Sequence, residues 1–315
     1  MESNKKIIML VAGGLIIIGV VIALLAFILV GFNWNSFNTS LPDEQKSYSY
    51  DLASVSSLTI GELDADVIIV GTADDKIKIT CYENEKDAYT IDLQANGNLN
   101  VNRSVYKHWY EYIGFNISNQ KRTLTVAVPR KFTGQIEAST MSGNLDLSNF
   151  ESLDAVGAST ASGQITLKNV IVANHIKAST MSGNFDLANL HAGKDVDLDT
   201  SSGEIQFTNG KIDGNLSISS LSGNIDLVDT TIKGDSSFEN SSGKVNFNRL
   251  TADNVSISTL SGDVQGSILG DPANYKITAD SLSGRIDIPN SGNGKIAVDI
   301  STSSGNIVIE FAVAN

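Results

Sequence analysis

The chain has 315 residues, 41% of them hydrophobic, a formal net charge of −13 and one cysteine, Cys81. That apolar content excludes global disorder. The lone cysteine excludes an intramolecular disulfide framework and a cysteine metal cluster. The acidic balance argues against a nucleic-acid partner, which needs clustered Lys and Arg to meet phosphates. His108, His175 and His191 are far apart in sequence and read as loop or surface residues.

In chain order, residues 1–6 read as a short cytoplasmic tail. Ile7 to Phe32 comes next as 26 residues without a charged side chain. At ~1.5 Å rise per residue a helix of that length crosses a ~30 Å hydrocarbon core with some tilt. A cleaved signal peptide is the rival reading, but its apolar region is usually 7–15 residues and ends in a small-x-small site. Phe27 to Asn35 offers no such site, and no cysteine directly follows the span for lipid attachment. The expectation is an uncleaved single-pass anchor whose partner is the lipid bilayer. Lys5 and Lys6 precede the span, and the first charges after it are Asp43 and Glu44. The positive-inside rule then puts the N-terminus in the cytoplasm and everything from residue 33 outside the plasma membrane. Residues 33–50 are a linker, with Trp34 and Phe37 at interfacial positions.

Residues 51–133 are strand-rich but irregular. Strands are expected at Val67 to Val70, Ile77 to Ile79, Ile91 to Leu93, Leu99 to Val101 and Leu124 to Val128, with turns at Asp74-Asp75 and Asn96-Gly97. The region forms either the widened first coils of a solenoid or a cap over its open end. The aromatic run around Trp109, Tyr110 and Tyr112 is either a loop folded over the core or a contact surface for a partner or the membrane.

From residue 134 a repeat takes over. Ser-Gly recurs at serines 142, 162, 182, 202, 222, 242, 261, 283 and 304, at spacings of 20, 20, 20, 20, 20, 19, 22 and 21. Around each pair the apolar positions alternate with period two, as in a strand. In one repeat Val196, Leu198, Thr200, Ser202, Ile205 and Phe207 point inward. The parity shifts at the glycine, which reads as a corner where positive φ is accepted without a Cβ clash. A 20-residue unit cannot bury its apolar face alone, whereas stacked units at ~4.8 Å per step can. The expected fold is all-β: a parallel, right-handed β-solenoid of nine Ser-Gly repeats over 134–315, preceded by one transmembrane helix.

Two outward columns test the register. Two residues past each serine no like charges follow each other, and Lys244, Asp263 and Arg285 alternate in sign. Four residues past it Asp146, Asp186 and Asp226 are separated by Thr166 and Gln206. Both fit one repeat per coil, because stacked like charges destabilise a sheet. Inside, Thr140, Thr160, Thr180 and Thr200 form a hydroxyl column that needs hydrogen-bond partners. Just before each serine, Met141, Met181 and Leu221 alternate with Ala161, Ser201 and Ser241. Facing outward, they either cover their neighbours or form a ridged apolar strip that grips a partner.

The short tail, the single span, the strand start Asp64-Ala65-Asp66-Val67 and the Thr-x-Ser-Gly repeats together resemble the putative-adhesin or toastrack family of bacterial and archaeal envelope proteins, over roughly residues 50–315. The resemblance implies an extracytoplasmic repeat domain, often linked to envelope-stress systems, with no established enzymatic activity and no catalytic residues to carry over. The expected function is a non-catalytic scaffold or binding module for an envelope protein or glycan, with no cofactor and no metal site. Two alternatives stay open. One is a cation-binding surface on the acidic column. The other is a polysaccharide-acting β-helix enzyme using the outer column of Asp146, Asp186, Asp226 and Asp287, which spaced two coils apart, ~9.6 Å, are far for a carboxylate pair working on one bond.

Overall fold

The computed structural model describes residues 14–16, 18–21, 28, 42–105, 122–290 and 292–312. Contacts divide the chain into two units, residues 1–42 with 105–120 and residues 43–104 with 121–315. In the first unit, 14–16, 18–21 and 28 are helical and carry exposed apolar side chains such as Leu15 and Ile18. Among the described residues no helix is long and apolar enough to cross a membrane. Most of the expected anchor, Ile7 to Phe32, lies outside the described residues, so the described structure gives that expectation no support.

The second unit is built from two sheets, one of 14 strands and one of 12. Each regular coil places a short strand, such as Val156–Thr160, on the 12-stranded sheet. It turns at Ser-Gly, places a longer strand, such as Ile165–Val172, on the 14-stranded sheet, and returns. Val156 pairs with Ile176 and Ile165 with Phe185, both in parallel, so one 20-residue repeat makes one coil. The inward columns Ile136, Val156, Ile176 and Val196 on one sheet and Leu145, Ile165, Phe185 and Ile205 on the other are almost wholly buried. Mainly β-branched or aromatic, these side chains fill a pleated, covered surface well. Where a ring is too large for its layer, a glycine makes room. A Cβ on Gly266 would overlap the Phe247 ring, and one on Gly210 the Phe207 ring.

Two expectations about the corner are corrected. The serine of each Ser-Gly does not point inward: Ser142, Ser162, Ser182, Ser202, Ser222 and Ser304 are exposed, and it is the next residue, the glycine, that turns toward the core. Nor do the corner glycines need positive φ, which among the described glycines occurs at Gly97 and Gly270 alone. They are required by close approach. A Cβ on Gly183 would overlap the carbonyl oxygen of Gly163, and one on Gly203 that of Gly183. No side chain fits where one backbone passes directly over another.

The hydroxyl column closes the same corner. Thr200 Oγ1 accepts the N–H of Gly203 at 3.0 Å, and Thr180 Oγ1 that of Gly183 at 2.9 Å. In the other direction, Thr160 Oγ1 donates to the Gly143 carbonyl at 3.3 Å. The threonines thus bond backbone, within their own coil and to the preceding one.

Stacking order departs from chain order at both ends. Strand Val264–Leu269 pairs with Ile307–Ala312, and that pairs with Ile286–Asp287. On the other sheet Asn254–Thr259 pairs with Ile296–Thr302, which pairs with Tyr275–Ser281. The last repeat therefore sits inside the penultimate one, and the chain climbs two steps before coming back one. The spacings of 22 and 21 at these repeats supply the extra connecting chain. Arg285 accordingly neighbours Asn306, not Asp263, and the sign alternation read along the sequence does not hold in space. At the other end, Ser57–Gly61 and Asp66–Thr72 lie against the first regular coil, with Asn98–Val105 and Thr123–Pro129 outside them. Lys76–Glu83 and Glu44–Asp51 continue that edge in antiparallel fashion.

Candidate functional site

The corner strip carries the largest apolar side chains that the repeat leaves in solvent. Met141, Met181, Leu221, Leu260 and Leu282 are 59%, 63%, 57%, 60% and 88% exposed. In chain order the alternation of large and small breaks at Leu260, Leu282, Ser303. In space it does not, because Ser303 lies between the other two: Ser304 N–H donates to the Leu260 carbonyl and Leu282 N–H to that of Thr302. From Met141 to Leu282 the strip thus alternates at every coil, with half-buried Ala161, Ser201, Ser241 and Ser303 in the notches; one coil further out, exposed Leu63 sits beside Met141 and ends the alternation. The notch at Ser241, between Leu221 and Leu260, is a depression of about 340 Å³.

The aspartate column runs along the outer face of the 14-stranded sheet. Thr166 pairs with both Asp146 and Asp186, and Gln206 with both Asp186 and Asp226, so consecutive aspartates are two coils apart. Each is separately engaged or enclosed. Lys168 Nζ lies 2.6 Å from Asp186 Oδ2, Asn246 Nδ2 donates to Asp226 Oδ1 at 2.7 Å, and Asp146 keeps Oδ1 buried without a partner. Among the described residues no three His, Cys, Asp or Glu gather as metal ligands. A shallow groove of about 470 Å³ opens beside Asp226, lined by Asn246, Asn248, Gln265, Ser267 and Glu310 among others. It lies where the strand register shifts between Phe247 and Leu250.

A second polar column escaped sequence reasoning. Asn149, Asn169, Asn189 and Asn209 adopt φ of 66°, 56°, 53° and 54°, and Asp229 and Arg249 continue the column in the same conformation. Asparagine tolerates this left-handed bend better than most side chains. Their amides form a ladder, with Asn189 Nδ2 donating to Asn169 Oδ1 at 2.9 Å and Asn209 Nδ2 to Asn189 Oδ1 at 3.1 Å. The 20-residue recurrence of Asn, seven positions past the serine, was the available signal.

The densest titratable cluster lies at the N-terminal end of the stack. Arg103 donates to both oxygens of Asp87, from Nε at 2.7 Å and Nη2 at 2.6 Å, and from Nη1 to Glu62 Oε1 at 2.7 Å. All three side chains are buried. Arg122 bridges Asp87 and Asp43, holding Asp43 at 2.7 and 2.9 Å, and Tyr89 Oη donates to Glu62 Oε2. Burial opposes ionisation of Asp87, but hydrogen bonds and charge from Arg103 and Arg122 outweigh it and its pKa falls below the ordinary value. Glu83 behaves alike: burial opposes its charge, and Lys46 at 2.9 Å with the Tyr89 amide prevails. Burial beside Glu83 pushes the Cys81 thiol up to about 12, so it is no nucleophile. Elsewhere, Lys233 and then His191 hold Asp213 down to about 2. These are ion pairs with every charge answered.

Of the residues singled out from sequence, Met141, Met181 and Leu221 share the corner strip, while Trp109, Tyr110 and Tyr112 lie outside the described residues.

The sequence profile of the family Toastrack DUF4097 matches residues 55–310. No curated protein matches. Several solved structures are similar, among them the following three. A putative cell adhesion protein from Clostridium sporogenes is 13% identical, with 86% of this chain and 100% of that one covered and a TM-score of 0.27. A putative adhesin from Bacteroides fragilis is 13% identical over 85% and 97%, with a TM-score of 0.33. A putative adhesin from Parabacteroides merdae is 11% identical over 87% and 98%, with a TM-score of 0.29.

Proposed function

The chain belongs to the Toastrack DUF4097 family, and from that premise we propose that its repeat unit is a non-catalytic scaffold or binding module of the cell envelope, held outside the plasma membrane by the apolar segment Ile7 to Phe32. The observation that carries the non-catalytic reading is the state of the carboxylates. The aspartates of the outer column stand two coils apart, and Asp186 and Asp226 have partners of their own. A general acid and base acting on one bond need to converge on it. The groove beside Asp226 offers amide, hydroxyl and carboxylate groups on a rigid sheet, a surface suited to hydroxyl-rich glycans or to a polar protein face.

The test replaces Asp146, Asp186 and Asp226 together by Asn in the full chain. The expected result is an intact fold, a stability change of about 1 kcal/mol or less, and a melting temperature that calcium does not raise in wild type or variant. Protease added to intact cells should remove the repeat unit. A calcium-dependent rise in the wild type that the triple variant loses would move the function to a cation-binding surface. A polysaccharide-cleaving activity lost in the variant would make the protein an enzyme. A protease-protected repeat unit would contradict the extracytoplasmic placement.

A further inference from the structure

We propose that the corner strip is the interface for a second copy of this chain, packed antiparallel so that the large side chains of each copy enter the notches of the other. From Met141 to Leu282 large and small alternate at every coil, so successive knobs stand ~9.6 Å apart with a notch midway. Numbered in space, Met141, Met181, Leu221, Leu260 and Leu282 take the odd positions and Ala161, Ser201, Ser241 and Ser303 the even ones. An antiparallel partner set about a two-fold axis between Ser201 and Leu221 brings the first four large positions onto small ones and sets Leu282, at each end, against Leu63 of the other copy, apolar on apolar. Met141 then meets Ser303, Met181 meets Ser241, Leu221 meets Ser201, and Leu260 meets Ala161. The depression at Ser241 is the seat for the partner's Met181. Such a contact is isologous and closes as a dimer. A parallel pairing would need a one-coil offset, which no two-fold axis supplies and which leaves the two copies inequivalent.

Charge favours the same occupant. Two copies of a chain at −13 repel in general, yet this lane is bordered by the exposed corner serines on one side. On the other it is bordered by the column that begins Ser139, Ser159, Ser179. The acids in that second column are Asp199, Glu239 and Asp280. In the antiparallel register Asp199 faces Ser219, Glu239 faces Ser179 and Asp280 faces Gly61, so no acid meets an acid. The area is adequate. Seven steps of ~4.8 Å by four residues of ~3.3 Å give about 440 Å² of plane per copy. Corrugation adds to that, bringing the total near the ~1,000 Å² that a specific pair needs.

The experiment is sedimentation of the full chain in detergent, at loadings up to the order of 100 µM. The proposal expects a monomer–dimer equilibrium in wild type. Met181→Ser with Leu221→Ser should shift it to monomer, without changing the melting temperature measured at concentrations where the wild type is monomeric, since both side chains are exposed in the single chain. Filling notches, by Ser201→Leu with Ser241→Leu or by Ala161→Leu alone, should abolish the dimer although it adds apolar surface. A nonspecific greasy strip would respond in the opposite way, with tighter association of the notch-filled variants, and that result overturns the proposal. So do a monomeric wild type, a dimer that the knob substitutions leave intact, and an open-ended series of oligomers.

Discussion

The middle of the stack and its N-terminal end solve the same corner differently. In the middle, position 200 is a threonine whose neutral hydroxyl accepts the Gly203 amide. The register carries that column outward through Thr140 to Glu62 and then to Arg103. Glu62 also serves its own corner, accepting the amide of Leu63 at 2.9 Å and those of Asp64 and Ala65 at 3.4 Å. Beyond it, among the described residues, no further regular coil supplies backbone partners, and Arg103 and Asp87 close the column as ions. A repeating neighbour makes a cheap neutral hydrogen bond sufficient. The last corner, buried but without that neighbour, holds its charge only because each ion is paired and hydrogen-bonded.

Breaking the two versions should cost very different amounts. Arg103→Ala leaves Glu62 and Asp87 buried with their main cation gone, and about 3–5 kcal/mol should be lost in chemical denaturation. The same end should fail first in acid. Asp87 and Glu83 have folded pKa values below their unfolded ones. Their stabilisation is therefore present above the unfolded carboxylate value near ~4 and is lost as pH falls through the lower folded values. Hydrogen exchange should show strands Lys76–Glu83 and Asp87–Leu93 losing protection on acidification before Ile165–Val172 does. Thr200→Val, which keeps shape and leaves the Gly203 amide unpaired, should cost about 1–3 kcal/mol, with Thr200→Ser recovering part of it. Equal losses for Arg103→Ala and Thr200→Val would remove the distinction between the two regions.

The regular stack was legible because every coil repeats it. The alternation at Val196, Leu198, Thr200, Ile205 and Phe207 gave the inward face, and the 20-residue spacing gave one repeat per coil. The corner misled at Ser202 because period-two parity was carried one residue too far into a turn. The role of its glycine was misjudged because sequence shows that a Cβ is absent, not whether φ or a neighbouring backbone excludes it. The asparagine column at 149, 169, 189 and 209 was there to be read. The cluster of Glu62, Asp87 and Arg103 was not, since residues 16 and 41 apart come together once, with no repeat to announce them. The exchange of the last two coils left only a trace, in spacings of 22 and 21.

That stacking order underlies the alternation of the corner strip from Met141 to Leu282, and a disulfide tests it. Ser258 and Ser301 are register partners in the structure, whereas chain order would set Ser258 beside Asp280. Neighbouring strands at ~4.8 Å bring such a pair within the ~4.4–6.8 Å Cα separation that a disulfide spans. The measurement is intramolecular disulfide formation on oxidation of two double variants, Ser258→Cys with Ser301→Cys and Ser258→Cys with Asp280→Cys, with native Cys81 buried out of reach. Ready closure of the first and none of the second is the predicted result. Closure of the second and failure of the first would show the coils stacked in chain order and contradict the account.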